Sequence, residues 1–367
     1  MTVLTGAVAL AALPTLLGAA ERPSTGLSAS TVIADALASV RTPYSGLVQV
    51  DGRLGLPALP IQSQATAQLD QSSRIRTWWL SPITWRTDTL GLTGQQEEVA
   101  AATSAATLAW DYERNTVQVL PISPGVRLPR TADLMPPAAA RTLLAWRSAA
   151  DRVSALPPQL IAGRDASGAR VTSGEAASSV SSLTVWVDTA TGLPLELDVY
   201  VRADPVPVFR TRFLDVSLER PNPAVVSPVL PPSAHWSMQR RDLLEFIQSV
   251  GSTTFPAQVA GLPATTSDTG LPAGIASYGS GFARVSLLEL PDRLVPRVEE
   301  AVGAQTVAVG TGRAAVLRTG LLQVALLETA GGRGYLLAGT LTGTALDAAV
   351  RDALAALPAS RAPEDAG

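Results

Sequence analysis

Histidine occurs once in this chain, at His235, and cysteine and lysine do not occur at all, so every one of the 28 basic residues is arginine. Without lysine there is no Schiff-base chemistry, no Ser-Lys dyad and no Gly-Lys-Ser/Thr phosphate loop. Without cysteine there is no thiolate nucleophile, disulfide framework or Cys metal site. A lone histidine inside the proline-rich run Pro221 to Trp236 lacks the partner ligands that a zinc site recruits. The remaining chemistry-bearing groups are the carboxylates Asp88, Asp111 and Glu113, which could serve as a pair flanking a glycosidic bond. Asp88 and Asp111 sit beside Arg86 and Trp110 on strand-like runs, so cross-strand ion pairing competes with that reading. Gly279-Ser-Gly281 and Gly310-Thr-Gly312 lack the third glycine and the strand-to-helix context of a dinucleotide fingerprint and read as turns. No G-x-S-x-G elbow is present. The chain carries no catalytic constellation and no cofactor motif, and is read as a non-enzyme.

The elements around these residues are those of a binding protein. A length of 367 residues exceeds what one core usually supports, so two domains are expected. A net charge of −3 argues against a general nucleic-acid footprint. Val3 to Ala20 is uncharged and apolar, with Gly18-Ala19-Ala20 before Glu21. This fits an export signal or an uncleaved anchor, although no basic residue precedes it, and Pro14 argues against a buried soluble helix. The mature chain is therefore expected on the extracytoplasmic side of the membrane.

Ser28 to Val40 has helical spacing with a serine cap, and Tyr44 to Asp51 alternates as a strand. Arg74 to Leu80 and Thr84 to Leu90 form a hairpin through Pro82, and Thr103 to Glu113 with Thr116 to Ile122 forms another. Pro136-Pro137 opens a helix predicted to run to Arg152. Strands resume at Gln159 to Gly163 and Arg170 to Thr172, then in three runs between Val180 and Phe213. A proline-rich linker follows, with a short helix over Gln239 to Val250. A second unit carries five strands between Gly274 and Thr340 and helices at Asp292 to Val302 and Thr344 to Leu357. The expected boundaries are 1–26 for the signal or anchor, 27–220 for the large domain, 221–256 for the linker, 257–357 for the small domain and 358–367 for a disordered tail.

Several passages resemble the RseB/MucB family of sigma-factor regulators, whose larger domain shares the fold of the lipoprotein carrier LolA. They are Tyr44-Ser-Gly-Leu-Val48, the strand-Pro-strand hairpin Arg76 to Arg86, and Leu108-Ala-Trp-Asp-Tyr112. Further along come Leu160-Ile-Ala-Gly-Arg164, the Trp186-Val-Asp188 strand and the Thr191-Gly-Leu-Pro194 turn. Tyr278-Gly-Ser-Gly-Phe282 and Tyr335 to Leu354 resemble the smaller domain. Ser104-Ala-Ala-Thr107 departs from the Asp-Gly common before the Trp strand of the carrier fold.

The resemblance implies an α+β fold: a curved antiparallel half-barrel sheet with covering helices, followed by a smaller α+β domain. It implies an anti-sigma-factor-type membrane partner and an apolar cavity for lipid or lipoprotein acyl chains, where each buried methylene contributes about 0.8 kcal/mol. The cavity is assigned to Ile75, Trp79, Leu108, Trp110, Tyr112, Val185, Val187, Leu195, Leu197 and Val199, with Trp186 and Tyr200 on the opposite face. A LolA-like carrier and an envelope hydrolase using Asp88, Asp111 or Glu113 are the alternatives.

Overall fold

The computed structural model of the chain describes residues 26–55, 64–91, 94–100, 106–121, 129–202, 204–227, 232–238, 254–265, 274–303 and 306–358. The apolar run 3–20, the expected helix over 239–250 and the tail beyond 358 lie outside them.

The large domain opens with α1 (Ala29–Ala38), capped by Ser28, whose Oγ accepts from the Thr31 amide at 3.2 Å. A meander follows: β1 (Tyr44–Gly52), the short α2 (Gln64–Gln68), β2 (Ser72–Ser81), β3 (Thr84–Leu90), β4 (Gln95–Ala100), β5 (Ala106–Asp111) and β6 (Thr116–Pro121). A 3-10 turn (Thr131–Leu134) leads into α3 (Pro136–Ala145). That helix stops well short of Arg152, where the sequence reading ends it. Asp151 instead organises a turn, accepting the Ser148 amide at 2.8 Å and the Gly174 amide at 2.9 Å.

The sheet continues through β7 (Arg152–Ile161), β8 (Arg164–Thr172), β9 (Val180–Asp188), β10 (Pro194–Val201) and β11 (Phe209–Ser217). A second 3-10 turn (Pro223–Val226) crosses towards β12 (His235–Met238). The 12 strands run β12-β6-β5-β4-β3-β2-β1-β11-β10-β9-β8-β7, an open sheet that does not close on itself. Every neighbouring pair is antiparallel except β12 with β6. Pro157 and Pro158 are tolerated because β7 is an edge strand and its register with β8 shifts at this pair, between Leu156 and Gln159, which leaves both prolines out of the ladder.

One face of this sheet is covered by α1 over β8 and β9, and by α3 over β10 and β11. Val32, Ile33, Ala36, Ala139, Ala140 and Leu144 from the helices share a core with Leu183, Val185, Val187, Leu197 and Phe213. Among the described residues no helix is long and apolar enough to cross a membrane.

The smaller domain begins with the two-stranded pair β13 (Gln258–Val259) and β14 (Leu262–Pro263). Then come β15 (Ile275–Ser280), β16 (Ala283–Leu290), α4 (Val295–Val302), β17 (Val307–Val309), β18 (Gly312–Arg318), β19 (Gln323–Glu328), β20 (Gly334–Gly339) and α5 (Gly343–Ala356). The second sheet, β15-β16-β20-β19-β18-β17, is covered on both faces. Leu346, Ala349 and Val350 of α5 meet Ala325 and Leu327, while Val295, Val298 and Val302 of α4 meet Val324 and Leu326. That double cover explains why Gln323-Val-Ala-Leu-Leu327 is a continuous buried run without alternation.

The two domains are fastened by the segment between β8 and β9. Ser178 bridges Leu341, the Ser179 amide donates to Thr340 O at 3.1 Å, and the Thr342 amide donates to Ala177 O at 2.7 Å. Side chains repeat the attachment: Ser178 Oγ donates to Phe282 O at 2.9 Å and Ser179 Oγ to Leu321 O at 2.6 Å. Phe282 itself is buried in the core of the large domain, with Leu321 and Leu322 packed against the same cluster.

Candidate binding site

Cross-strand register decides which side chains share a face, because directly paired residues point to the same side. Leu183 pairs with Val199 and Val185 with Leu197, so these four side chains face the helices together with Val187, while Trp186 and Tyr200 face away. Leu195 is fully buried beside an irregularity between Pro194 and Glu196. Ile75 pairs with Val48, and Trp79 with Tyr44, whose ring it stacks at 6.0 Å. These seven residues of the sequence-predicted cavity are 0–4% exposed, and their face is filled by α1, α3 and their own neighbours.

Leu108, Trp110 and Tyr112 lie elsewhere, which corrects the single-cavity grouping. Ile75 is opposite Thr89, Thr89 opposite Gln96 and Gln96 opposite Asp111, so Asp111 rather than Trp110 shares the face of Ile75. Leu108 and Trp110 pair with Val99 and Glu97 on the outer face, where Trp110 stacks on Tyr112 at 3.9 Å and the Tyr112 hydroxyl donates to Glu97. The error in parity comes from β4, which the sequence reading does not recognise. Its inward residues are Gln96 and Glu98, so the apolar alternation that marks a half-buried strand is missing.

The same register separates the carboxylates considered for hydrolysis. Asp88 is on the outer face, bound bidentately by Arg86 at 2.7 and 2.9 Å, and Asp111 is on the inner face, salt-bridged to Arg114 at 2.8 Å. Glu113 is exposed. Two carboxyl groups on opposite sides of a sheet cannot flank one bond. His235 is not in a loop but begins β12, opposite Thr116, and among the described residues no group of three His, Asp or Glu could hold a metal ion.

The open part of the inner face is a groove of about 560 Å³ over β3 to β6, bordered by α2. Its walls include Gln68 from α2, Thr89, Gln96, Asp111, Thr116 and Gln118. Ala67, Ala109 and Trp110 complete the lining, so polar side chains are mixed with apolar surface where a purely apolar cavity was expected. Gln68 is 1% exposed and its Nε2 donates to Thr89 Oγ1 at 2.9 Å, leaving Oε1 without a partner. Beside the groove Glu98 shares the inner face with Ala109 and Gln118, and accepts the Thr131 amide at 2.9 Å.

Burial pushes the Glu98 carboxyl above its ordinary value of 4.5, opposed by the hydrogen bond from Thr131. The folded state therefore holds this proton more tightly than the unfolded state, and stability is lost as pH rises from 4.5 towards the raised folded value. Glu98→Gln keeps an acceptor for Thr131 and removes the ionisation. Thermal unfolding should show a higher melting temperature for the variant at pH 7.5 and little difference at pH 4.5; equal differences at both would rule out this origin.

The open half-barrel with helices on one face, joined to a smaller two-faced sheet, defines the MucB-like class of fold. The chain aligns with a chain of the Pseudomonas aeruginosa MucA/MucB complex over 91% of its own length and 99% of that chain, at 17% identity and a TM-score of 0.51. A second structure, MucB in complex with MucA(peri), matches with a TM-score of 0.49 at 17% identity, covering 91% of this chain and 100% of that one. A LolA superfamily protein from Nitrosomonas europaea matches 55% of this chain and 98% of its own, at 10% identity and a TM-score of 0.25. No protein-family model and no curated protein matches the sequence.

Proposed function

We infer that this chain is a non-catalytic regulatory protein of the cell envelope whose two fastened domains bind the extracytoplasmic part of an anti-sigma-factor-type membrane protein. The observation that carries this reading is the end-to-end alignment of both domains with a chain of the MucA/MucB complex. Of the candidate carboxylates, Asp88 and Asp111 lie on opposite faces of the sheet and each is salt-bridged to an arginine. Residues 3–20 would carry the chain across the membrane, or hold it there.

The filled apolar face favours this reading over that of an acyl-chain carrier. Val185, Val187 and Leu197 are fully buried against the protein's own side chains, so a lipid would first have to displace α1 or α3. The test is affinity capture of the tagged full chain, with crosslinking, from envelope extracts of its own cell. Recovery of a single-span membrane protein with a cytoplasmic sigma-binding portion is expected; its absence under all lipid conditions would end the proposal. Native mass spectrometry of the same preparation should show the chain without bound acyl mass, and a stoichiometric lipid adduct would restore the carrier reading.

A further inference from the structure

We propose that the polar groove over β3 to β6 binds an extended, uncharged stretch of polypeptide through its backbone. The proposal rests on the protein-binding reading above and assigns it a site. Thr89, Gln96, Asp111 and Thr116 form one cross-strand row, with Gln118 in the next row and Gln68 overhanging from α2. The row crosses three strand spacings of about 4.8 Å each, a span that about four residues of extended chain would cover.

The lining chemistry narrows the ligand. Threonine hydroxyls and glutamine amides both donate and accept, as the alternating N–H and C=O groups of a peptide require. Asp111 is already engaged by Arg114 at 2.8 Å and by Gln96 at 3.4 Å, and Glu113 and Arg114 carry opposite charges at the rim. Two carboxylates against one arginine leave the lining negative, which repels an anion such as a phosphate or a fatty-acid carboxylate. Ala109 is the sole aliphatic side chain on this stretch of the two rows, and with Ala67 from α2 it offers only methyl groups to an acyl chain. Trp110 also borders the groove, though the register points its side chain to the outer face, where its ring stacks on Tyr112 at 3.9 Å.

Gln68 supplies an independent sign of an absent partner. It is 1% exposed and lines the groove, yet its Oε1 bonds nothing. Turning the amide over would exchange which atom is orphaned and still leave one, because Thr89 can satisfy a single end. A buried unpaired amide group costs stability, a cost that a ligand N–H or C=O would relieve.

The experiment uses the full chain with glutamine side-chain amides observed by NMR, titrated separately with N-acetyl-tetraalanine amide, maltotriose and dodecanoate. Saturable shifts of the Gln68 and Gln96 side-chain signals with the peptide alone are expected, and Gln68→Leu should weaken that binding at least tenfold. Because Gln68 is buried, the Gln118→Leu variant, which removes a groove amide without touching the core, should also weaken it severalfold. Peptide that shifts neither signal, maltotriose or dodecanoate that saturates them instead, or both variants binding as tightly as the parent, would each overturn the assignment. If both variants still capture the membrane protein from envelope extracts at parent levels, the groove assignment fails while the regulatory reading stands. If the parent captures nothing yet binds the peptide, the reverse holds.

Discussion

Phe282→Ala should destabilise the protein by about 3–5 kcal/mol and uncouple the unfolding of its two domains, the range expected when a large buried aromatic is truncated. Phe282 lies in the two-residue turn, Gly281-Phe282, between β15 and β16 in the small domain, yet it is 1% exposed because it enters the core of the large one. Its carbonyl accepts from Ser178 Oγ at 2.9 Å and Thr340 Oγ1 at 2.7 Å, and the next amide, of Ala283, donates to Glu175 at 2.6 Å. Gly281 makes the approach possible: its φ is +58°, and a Cβ there would collide with Glu175 Oε1. The ring therefore acts as a plug, held at its base by polar contacts that the substitution leaves in place. Differential calorimetry should show a single transition for the parent and two for Phe282→Ala, with Phe282→Leu intermediate. A single transition in the alanine variant, with a loss below about 1 kcal/mol, would mean that the polar clasp alone joins the domains, since truncating a packed ring costs more than that.

Legibility of this fold in the sequence followed the apolar signal. Alternation is clean in Leu183, Val185 and Val187, where one face meets helices, so strand and parity could both be read there. Gln95-Gln-Glu-Glu98 gives no such signal, since both of its faces are polar and its carboxylates are buried by partners distant in sequence: Thr131 for Glu98, and Arg86 for Glu97. Missing that strand displaced Leu108, Trp110 and Tyr112 to the wrong face and hid the groove. The signal that could have found it is the strand-length polar run between Gly94 and Ala101, set between two strands that need a neighbour. In β7 the pair Pro157-Pro158 concealed a strand for a different reason, because proline excludes a central position but not an edge.

Arg86→Ala tests whether the outer face is held by charge. Arg86 binds Asp88 at 2.7 Å and Glu97 at 2.9 Å, and both carboxylate side chains are 3% exposed. It also stacks on Trp78 at 5.4 Å and donates to Val225 O at 3.4 Å, which ties the strap from β11 to β12 onto the sheet. Burial raises the Glu97 carboxyl above its ordinary value, an effect that the Tyr112 hydroxyl and Arg86 oppose. Removing the guanidinium leaves two buried carboxylates on directly paired residues, and a loss of about 3–5 kcal/mol is expected near neutral pH. The sign of its pH dependence follows from the same contacts. Without Arg86 the Glu97 carboxyl loses the charge that opposes the effect of burial and holds its proton still more tightly in the folded state, so the variant loses further stability as pH rises above 4.5 and recovers part of it as pH falls towards that value. Urea unfolding at pH 7.5 and pH 5 should therefore give a larger deficit at the higher pH, and Arg86→Lys should restore only part of it because an ammonium cannot hold Asp88 bidentately while reaching Glu97. A deficit independent of pH would place the effect in lost packing on Trp78. The strap that Arg86 fastens leads to β12 at the sheet edge beside Thr116, so loosening it would also disturb one border of the polar groove.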